Sequence, residues 1–233
     1  MPKPRVQTKR KPKPRILILC EGEKTEPLYF KALKGDPAYK NLSSIDIIVS
    51  DTKPNTAKEL VNLAIKLKKE ASKQDNPLFE IWVIIDKDGY TKHAEAFDLA
   101  LKNTINIAFS SICFEYWILL HFLYTTKQFA NCDEVINFLS KNGVPNYKKN
   151  LNIYDLIKTK KCSAIAHAKK LRGALPDLHT GTLPYKLNPY TNIDALVCRL
   201  IHFGELRDRH NNYIKIPHNL WDINLSDLID SSS

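Results

Sequence analysis

The sequence RILILCEGEKTEPLYF, residues 15–30, joins an apolar run directly to a charged segment. Residues 15–20 are typical of a short buried strand. Three glutamates follow this run, Glu21, Glu23 and Glu26. We predict that a helix begins within this charged segment. It is capped by Thr25, has Pro27 in its first turn and ends just before Gly35. The stretch therefore predicts a strand and a helix joined by an acidic turn.

The same strand-then-helix pattern recurs along the next hundred residues. The further runs predicted as strands are SIDIIVS (44–50), EIWVIID (80–86) and INIAFS (105–110). Segments of helical periodicity separate them. Because alternating strands and helices form parallel sheets covered on both faces, we predict an α/β fold with a parallel sheet of about four strands flanked by helices. We assign residues 15–125 to this domain and residues 126–233 to a mainly helical region packed on it.

Capping residues and apolar content locate three of the predicted helices. One begins after Asn55 or Thr56, and another, CDEVINFLSKNG, has Asn131 as its cap and stops at Gly143. The third is CFEYWILLHFLY, residues 113–124, which is too apolar for a surface helix and is predicted to be buried.

Charge is distributed unevenly in the chain. The 233 residues carry a formal net charge of +10, and residues 1–15 hold seven Lys or Arg residues and no acid. This segment has four prolines and only one apolar side chain besides Met1, so we predict a disordered basic tail over residues 1–14. Such a tail attracts polyanions without sequence specificity, or it is simply a solvated terminus.

The cysteine content and hydropathy predict a cytoplasmic protein with free thiols. Five cysteines, an odd number without a CxxC motif, argue against a disulfide framework. No apolar run approaches the ~20 residues that span a bilayer, and no signal peptide is recognisable.

Two acidic groups follow predicted strands, and the carboxyl ends of parallel strands share one edge of a sheet. Glu21, Glu23 and Glu26 come after the first strand, and Asp86 and Asp88 come after the third. Carboxylates that converge repel one another unless a cation balances them. Because hard divalent ions prefer oxygen ligands, we predict that Mg²⁺ or Mn²⁺ is bound here. The alternative is that DKDG is an ordinary turn.

Glu115 is a further candidate because it lies in an apolar segment just after the fourth strand. There it ligates the metal, orients a ligand or pairs with a buried cation; alternatively, it faces solvent at a helix start. His121 fits a core histidine better than a ligand. Lys24 can contact phosphate or simply form an ion pair. The segment GEKT does not complete a phosphate-binding loop, because that motif requires G-x-x-x-x-G-K-[ST].

Four motifs together resemble a known family. ILCEGEKTEPLYF, IDKD, FSSICFEYWILLHF and YTNIDALV look like those of the RloB-like family, over about residues 15–205. These are prokaryotic proteins with a Toprim-type core, found among restriction and abortive-infection genes. The resemblance to Toprim implies that Glu21, Asp86 and Asp88 bind Mg²⁺.

The resemblance extends to the OLD-type nucleases of the Toprim group, which implies phosphodiester hydrolysis. Those enzymes often carry a second acid four residues after the first glutamate, but position 25 is Thr here, so Glu23 and Glu26 are the nearest candidates. We expect Glu21, Asp86, Asp88 and Glu115 to be catalytic and Glu26 to be an additional metal ligand. The cations that we expect to contact nucleic acid are Lys24, Lys87, Arg10, Lys11, Lys13 and Arg15.

Three hypotheses for function follow from the sequence. The first is a metal-dependent nuclease in antiphage defence. The second is a module that binds nucleic acid or a nucleotide through Mg²⁺ without cutting it. The third is an interaction subunit of a larger restriction or defence complex, in which the acidic rim is vestigial. The protein partners that we expect are a second copy of the chain or a protein of a defence system. The sequence does not distinguish DNA from RNA as the target.

Overall fold

The computed structural model describes residues 15–39, 42, 46–50, 56–73, 78, 80–87 and 92–202. Within these residues the strands are β1 (Arg15–Cys20), β2 (Asp46–Ser50), β3 (Glu80–Asp86), β4 (Asn106–Ser111) and β5 (Tyr190–Thr191). They form one sheet in the order β2-β1-β3-β4-β5. The first four strands are parallel, as predicted, and the two-residue β5 pairs antiparallel with β4.

The helices of the described residues connect and cover these strands. They are α1 (Thr25–Gly35), α2 (Ala57–Lys73), α3 (His93–Lys102), α4 (Glu115–Leu119), α5 (Cys132–Asn142), α6 (Tyr154–Ile157), α7 (Lys161–Gly173), α8 (Pro176–His179) and α9 (Ile193–Ile201). None of these helices combines the length and apolar character needed to cross a bilayer. The α/β fold with a helical C-terminal region is therefore confirmed, whereas the division into domains at residue 125 stays a prediction.

The two faces of the sheet are covered by different helices. Ile16, Ile18 and Cys20 of β1 pack in a core with α1 and the helices that follow β4. Leu17 and Leu19 point to the other face, where α2 and α3 pack. Side chains alternate between the faces of a strand, so a run that is apolar at every position fits a sheet covered on both sides.

Local capping follows the sequence at two of the predicted sites. Thr56 Oγ1 accepts a hydrogen bond from Glu59 N at 3.2 Å at the start of α2, and Asn131 Oδ1 accepts one from Glu134 N at 3.0 Å at the start of α5. The prediction that Thr25 caps α1 is wrong, because Lys24 occupies the cap position and Thr25 is the first residue of the helix. Its hydroxyl is directed into the candidate site instead.

The buried segment after β4 is a shorter helix than predicted. Trp117 and its neighbours are fully buried, as expected, but α4 ends at Leu119 and continues as turns. His121 Nδ1 lies 3.0 Å from Trp117 O, the carbonyl that the backbone N–H of His121 would bond in a continuing α-helix. That N–H bonds Ile118 O instead, at 3.1 Å. Burial lowers the pKa of His121 to about 4.

Cysteine pairing also differs from the prediction. Cys113 and Cys132 are joined by a disulfide, whereas Cys162 and Cys198 are free thiols. The bridge connects the segment before α4 to the first residue of α5. Neighbouring sequence could not reveal this pair, because folding brings together residues that are 19 positions apart.

Side-chain hydrogen bonds attach the C-terminal helices to the sheet. Asn192 Oδ1 accepts from Phe109 N at 2.6 Å and its Nδ2 donates to Ile107 O at 3.1 Å, so this side chain bonds the edge of β4 beside β5. Arg199 of α9 is fully buried, and its Nε donates to Glu80 Oε1 at 2.9 Å at the start of β3. These bonds therefore attach the segment from β5 to α9 to strands β3 and β4.

We predict that Arg199→Leu lowers the free energy of unfolding by about 3–5 kcal/mol, because it leaves the Glu80 carboxylate buried without its cation. Urea denaturation of both proteins measures this difference. Lys102→Ala is the control, since it removes an exposed pair with Asp98 and should cost less than about 1 kcal/mol. A loss for Arg199→Leu as small as that of the control would contradict the role of the buried pair.

Candidate active site

The candidate site lies where the two central strands of the sheet end. β1 and β3 are adjacent and parallel, and Cys20 pairs with Ile84 near their carboxyl ends. From β1 the chain moves to β2 on one side, and β3 and β4 lie on the other. Ligands of open α/β sheets bind at such a point, outside the carboxyl ends of the strands.

Glu21 connects the two strand ends. Its backbone N–H donates to Ile84 O at 3.1 Å, which extends the β1–β3 pairing by one bond. Its side-chain Oε2 accepts a hydrogen bond from the backbone N–H of Asp86 at 3.0 Å. Glu21 is therefore held against the end of β3, beside the carboxyl group of Asp86.

Asp86 is the last residue of β3, and its surroundings disfavour the negatively charged form of its carboxyl group. Its Oδ1 is buried and accepts no hydrogen bond from any described residue. Burial, and then the charges of Glu26, Glu115 and Glu21, raise the pKa of Asp86 well above its ordinary value. An anion in this position is unfavourable unless a positive group is bound.

Glu26 lies in the first turn of α1 and is also buried. Burial, reinforced by the charge of Glu115, raises the pKa of Glu26 to about 7, although its own backbone N–H, Lys149 and the N–H of Gly22 act in the opposite direction. The carboxyl group packs directly on Gly22, where an added Cβ would lie 2.6 Å from Glu26 Cδ. Gly22 thus leaves room for this carboxyl group, which a larger residue would displace.

Glu115, the first residue of α4, is 1% exposed and is held by hydroxyl groups. Thr25 Oγ1 donates to Glu115 Oε1 at 3.0 Å, and Tyr147 OH donates to the same oxygen at 3.2 Å. Thr25 Oγ1 also lies 3.1 Å from Lys149 O, so it connects α1 to the loop before α6. The hypothesis that Glu115 faces solvent is therefore wrong.

These side chains surround a cleft of about 260 Å³. The lining residues are Glu21, Gly22, Glu23, Lys24, Thr25, Glu26, Asp86, Glu115 and Lys149. The lining contains five acids and two lysines, and the lysines are exposed. The cleft therefore combines a buried acidic floor with cations at its surface.

The carboxylates of the cleft do not converge on a single point. No three of Glu21, Glu26, Asp86 and Glu115 place an oxygen each within 4.8 Å of one another. Mutual repulsion favours such separation when no cation is bound.

The other predicted site residues lie elsewhere or outside the described residues. Lys87 Nζ donates to Leu187 O at 3.3 Å and does not line the cleft. Arg15 begins β1, at the opposite end of the strand from Glu21. Those outside the described residues are Asp88, Arg10, Lys11 and Lys13.

Four residues that line the cleft or contact its side chains were not predicted from the sequence. Gly22 and Thr25 lie inside the acidic segment that follows β1. The sequence does not show that Gly22 must leave space for Glu26 or that the hydroxyl of Thr25 contacts Glu115. Tyr147 and Lys149 come from the loop before α6, more than 120 residues beyond Thr25. No local signal in the sequence indicates that this loop reaches the strand ends.

A comparison with family models identifies one family. The model of the RloB-like protein family matches residues 16–200, which include all the residues that line the cleft. Comparisons with curated proteins and with solved structures gave no match.

We predict that the metal-free protein loses stability as the pH rises from about 4.5 to about 7 and that Glu26→Gln reduces this loss. A carboxyl group whose pKa is raised by folding binds more protons in the folded state across this interval, so the free energy of unfolding falls as the pH increases. For Glu26 the fall is on the order of 3 kcal/mol.

Urea denaturation in EDTA at pH 5 and pH 7.5 measures the effect. Glu23→Gln is the matched control, because Glu23 lies on the same turn but is exposed. Equal pH dependence of the free energy of unfolding in the wild type and Glu26→Gln would show that folding does not raise the pKa of Glu26.

Proposed function

This chain belongs to the RloB-like family, and from its acidic cleft we propose that it is a nuclease that depends on a divalent metal ion. The buried Oδ1 of Asp86, which lacks a hydrogen-bond donor among the described residues, is the observation that carries the proposal. Folding places this oxygen beside three other carboxylates and raises the pKa of Asp86. A bound cation makes such an arrangement favourable.

The donor set favours a hard cation. Glu21, Glu26, Asp86 and Glu115 offer only carboxylate oxygens to the cleft, and oxygen is the ligand that Mg²⁺ and Mn²⁺ prefer. When bound, such an ion polarises a phosphoryl oxygen and stabilises the negative charge that develops during phosphodiester hydrolysis. We propose Glu21, Asp86 and Glu26 as its ligands, with Asp88 as a further ligand outside the described residues.

Other groups of the protein orient Glu115 and attract the substrate. Thr25 and Tyr147 fix Glu115 by donating to its Oε1, so this carboxylate keeps one orientation. Lys24 and Lys149 lie at the exposed rim of the cleft, where they can pair with phosphates of a nucleic acid. The basic residues at positions 10, 11 and 13 add attraction that does not depend on base sequence.

We predict that Asp86→Asn lowers Mn²⁺ affinity at least about tenfold, since loss of a direct ligand should cost no less than loss of an outer partner. Because the charge of Asp86 is unfavourable without a cation, the variant should be as stable as the wild type in EDTA, or more so. Calorimetric titration with Mn²⁺ and Mg²⁺ measures the affinity, and urea denaturation measures the stability.

Cleavage is measured on the same proteins with single- and double-stranded DNA, RNA and tRNA as substrates. We expect divalent-dependent cleavage by the wild type and none by Asp86→Asn. Asp98→Asn on α3 is the matched control, because it changes an exposed aspartate that pairs with Lys102 outside the cleft. Wild-type binding without cleavage would support a nucleic-acid-binding module instead, and full activity in Asp86→Asn would reject the site.

We further propose that the nuclease acts in antiphage defence, since the family resemblance implies an association with restriction and abortive-infection genes. The expected result is that phage plating falls in bacteria that express the wild-type chain, together with any partner encoded beside it. Bacteria that express Asp86→Asn at the same level should lose this protection. Equal protection by both proteins would show that the cleft is not needed for defence.

A further inference from the structure

Two sulfur atoms and a carboxylate meet behind the acidic cleft. Cys113 precedes α4, Cys132 begins α5, and Glu115 Oε2 lies 3.4 Å from Cys132 Sγ. These residues are 0%, 7% and 1% exposed, respectively. The cysteine Cα atoms are 5.7 Å apart, and the side chains form a disulfide.

The three side chains direct potential metal ligands at one another. One ligand atom from each lies within 4.8 Å of the others, and no other group of three His, Cys, Asp or Glu residues in the described part of the chain has this property. The two oxygens of Glu115 have different surroundings. Oε1 accepts hydrogen bonds from Thr25 and Tyr147, whereas Oε2 lies 3.4 Å from Cys132 Sγ.

We propose that Cys113, Cys132 and Glu115, when the disulfide is reduced, form a second metal site that binds a thiophilic divalent cation of the Zn²⁺ type. Thiolate ligands select Zn²⁺ and exclude Mg²⁺, which requires oxygen. Two thiolates and one carboxylate supply three positions of a tetrahedral site. The fourth is open to an exogenous ligand.

Reduction converts the disulfide into this site by thiol–disulfide exchange. A dithiol attacks one sulfur of the bridge, forms a mixed disulfide and leaves as its own disulfide, so its two electrons and two protons pass to Cys113 and Cys132. The cation then displaces both thiol protons. Two thiolates on one Zn²⁺ lie about 3.8 Å apart. The Cα separation of 5.7 Å is close enough for side-chain rotation to achieve this spacing.

The second site is separate from the acidic cleft but shares Glu115 with it. A cation of the second site would be bound through Oε2 and the two sulfurs, whereas Oε1 is engaged by Thr25 and Tyr147. The inference does not rest on nuclease activity, because metal binding by the two sulfurs can be measured without any cleavage assay.

Cadmium is the probe, because its thiolate complexes have a charge-transfer absorption that carboxylates do not produce. The experiment uses the full chain with the substitution Cys162→Ser, which removes an exposed free thiol. The protein is reduced with a dithiol, separated from the reductant without air and titrated with Cd²⁺. We expect one equivalent to bind with thiolate absorption, and we expect the oxidised form of the same protein to show none.

Variants test each ligand in this background. Cys113→Ser/Cys132→Ser should abolish the thiolate absorption of the bound equivalent, and Glu115→Gln should retain it with affinity lowered about tenfold. Asp98→Asn, which changes an exposed aspartate of α3 outside the cleft, should change neither. Absence of the absorption in the reduced protein, or its persistence when both cysteines are replaced, would overturn the proposal. Mn²⁺ binding to the cleft is measured separately on oxidised protein, so failure of one site is distinguishable from failure of the other.

Discussion

Repulsion among carboxylates at the ends of β1 and β3 is the constraint on which this structure depends. Strand pairing fixes Glu21 beside Asp86, and the helix that follows β1 carries Glu26 to the same place. Burial removes the water that would screen these charges, so the pKa values of Asp86 and Glu26 rise. Unfavourable groups of this kind occur where a protein binds something, since folding alone would be better served by apolar side chains.

The rest of the molecule holds this arrangement in place. Gly22 leaves space for the Glu26 carboxyl group. Glu115 is held by the hydroxyl groups of Thr25, which precedes it in the sequence, and Tyr147, which follows it. The loop that supplies Tyr147 is positioned by helices that pack on the sheet, and the buried Arg199–Glu80 pair fastens the last of these to β3. The cleft therefore depends on both halves of the described chain, and loosening the C-terminal helices should disturb the ligands at the strand ends.

Much of the fold could be predicted because its signals are local. Apolar runs of five to seven residues gave four parallel strands, and parallel strands necessarily bring Glu21 and Asp86 to one edge. The features that could not be predicted depend on distant partners. Thr25 donates across 90 residues instead of capping α1, the ring of His121 takes the carbonyl that would have continued α4, and β5 has too few residues to give a periodic pattern.

Glu115 shows how one side chain can belong to two chemical environments. A carboxylate has two oxygens, and here hydroxyl groups engage Oε1 while Oε2 faces the sulfur of Cys132. The hydroxyl contacts position Glu115 for the acidic cleft, where hard cations are favoured, and the sulfurs provide a soft environment only a few ångströms away. Because Glu115 belongs to both environments, a change in the oxidation state of Cys113 and Cys132 alters the surroundings of a carboxylate that lines the cleft. Coupling between them requires no movement of the sheet, since rotation of side chains at the starts of α4 and α5 is sufficient.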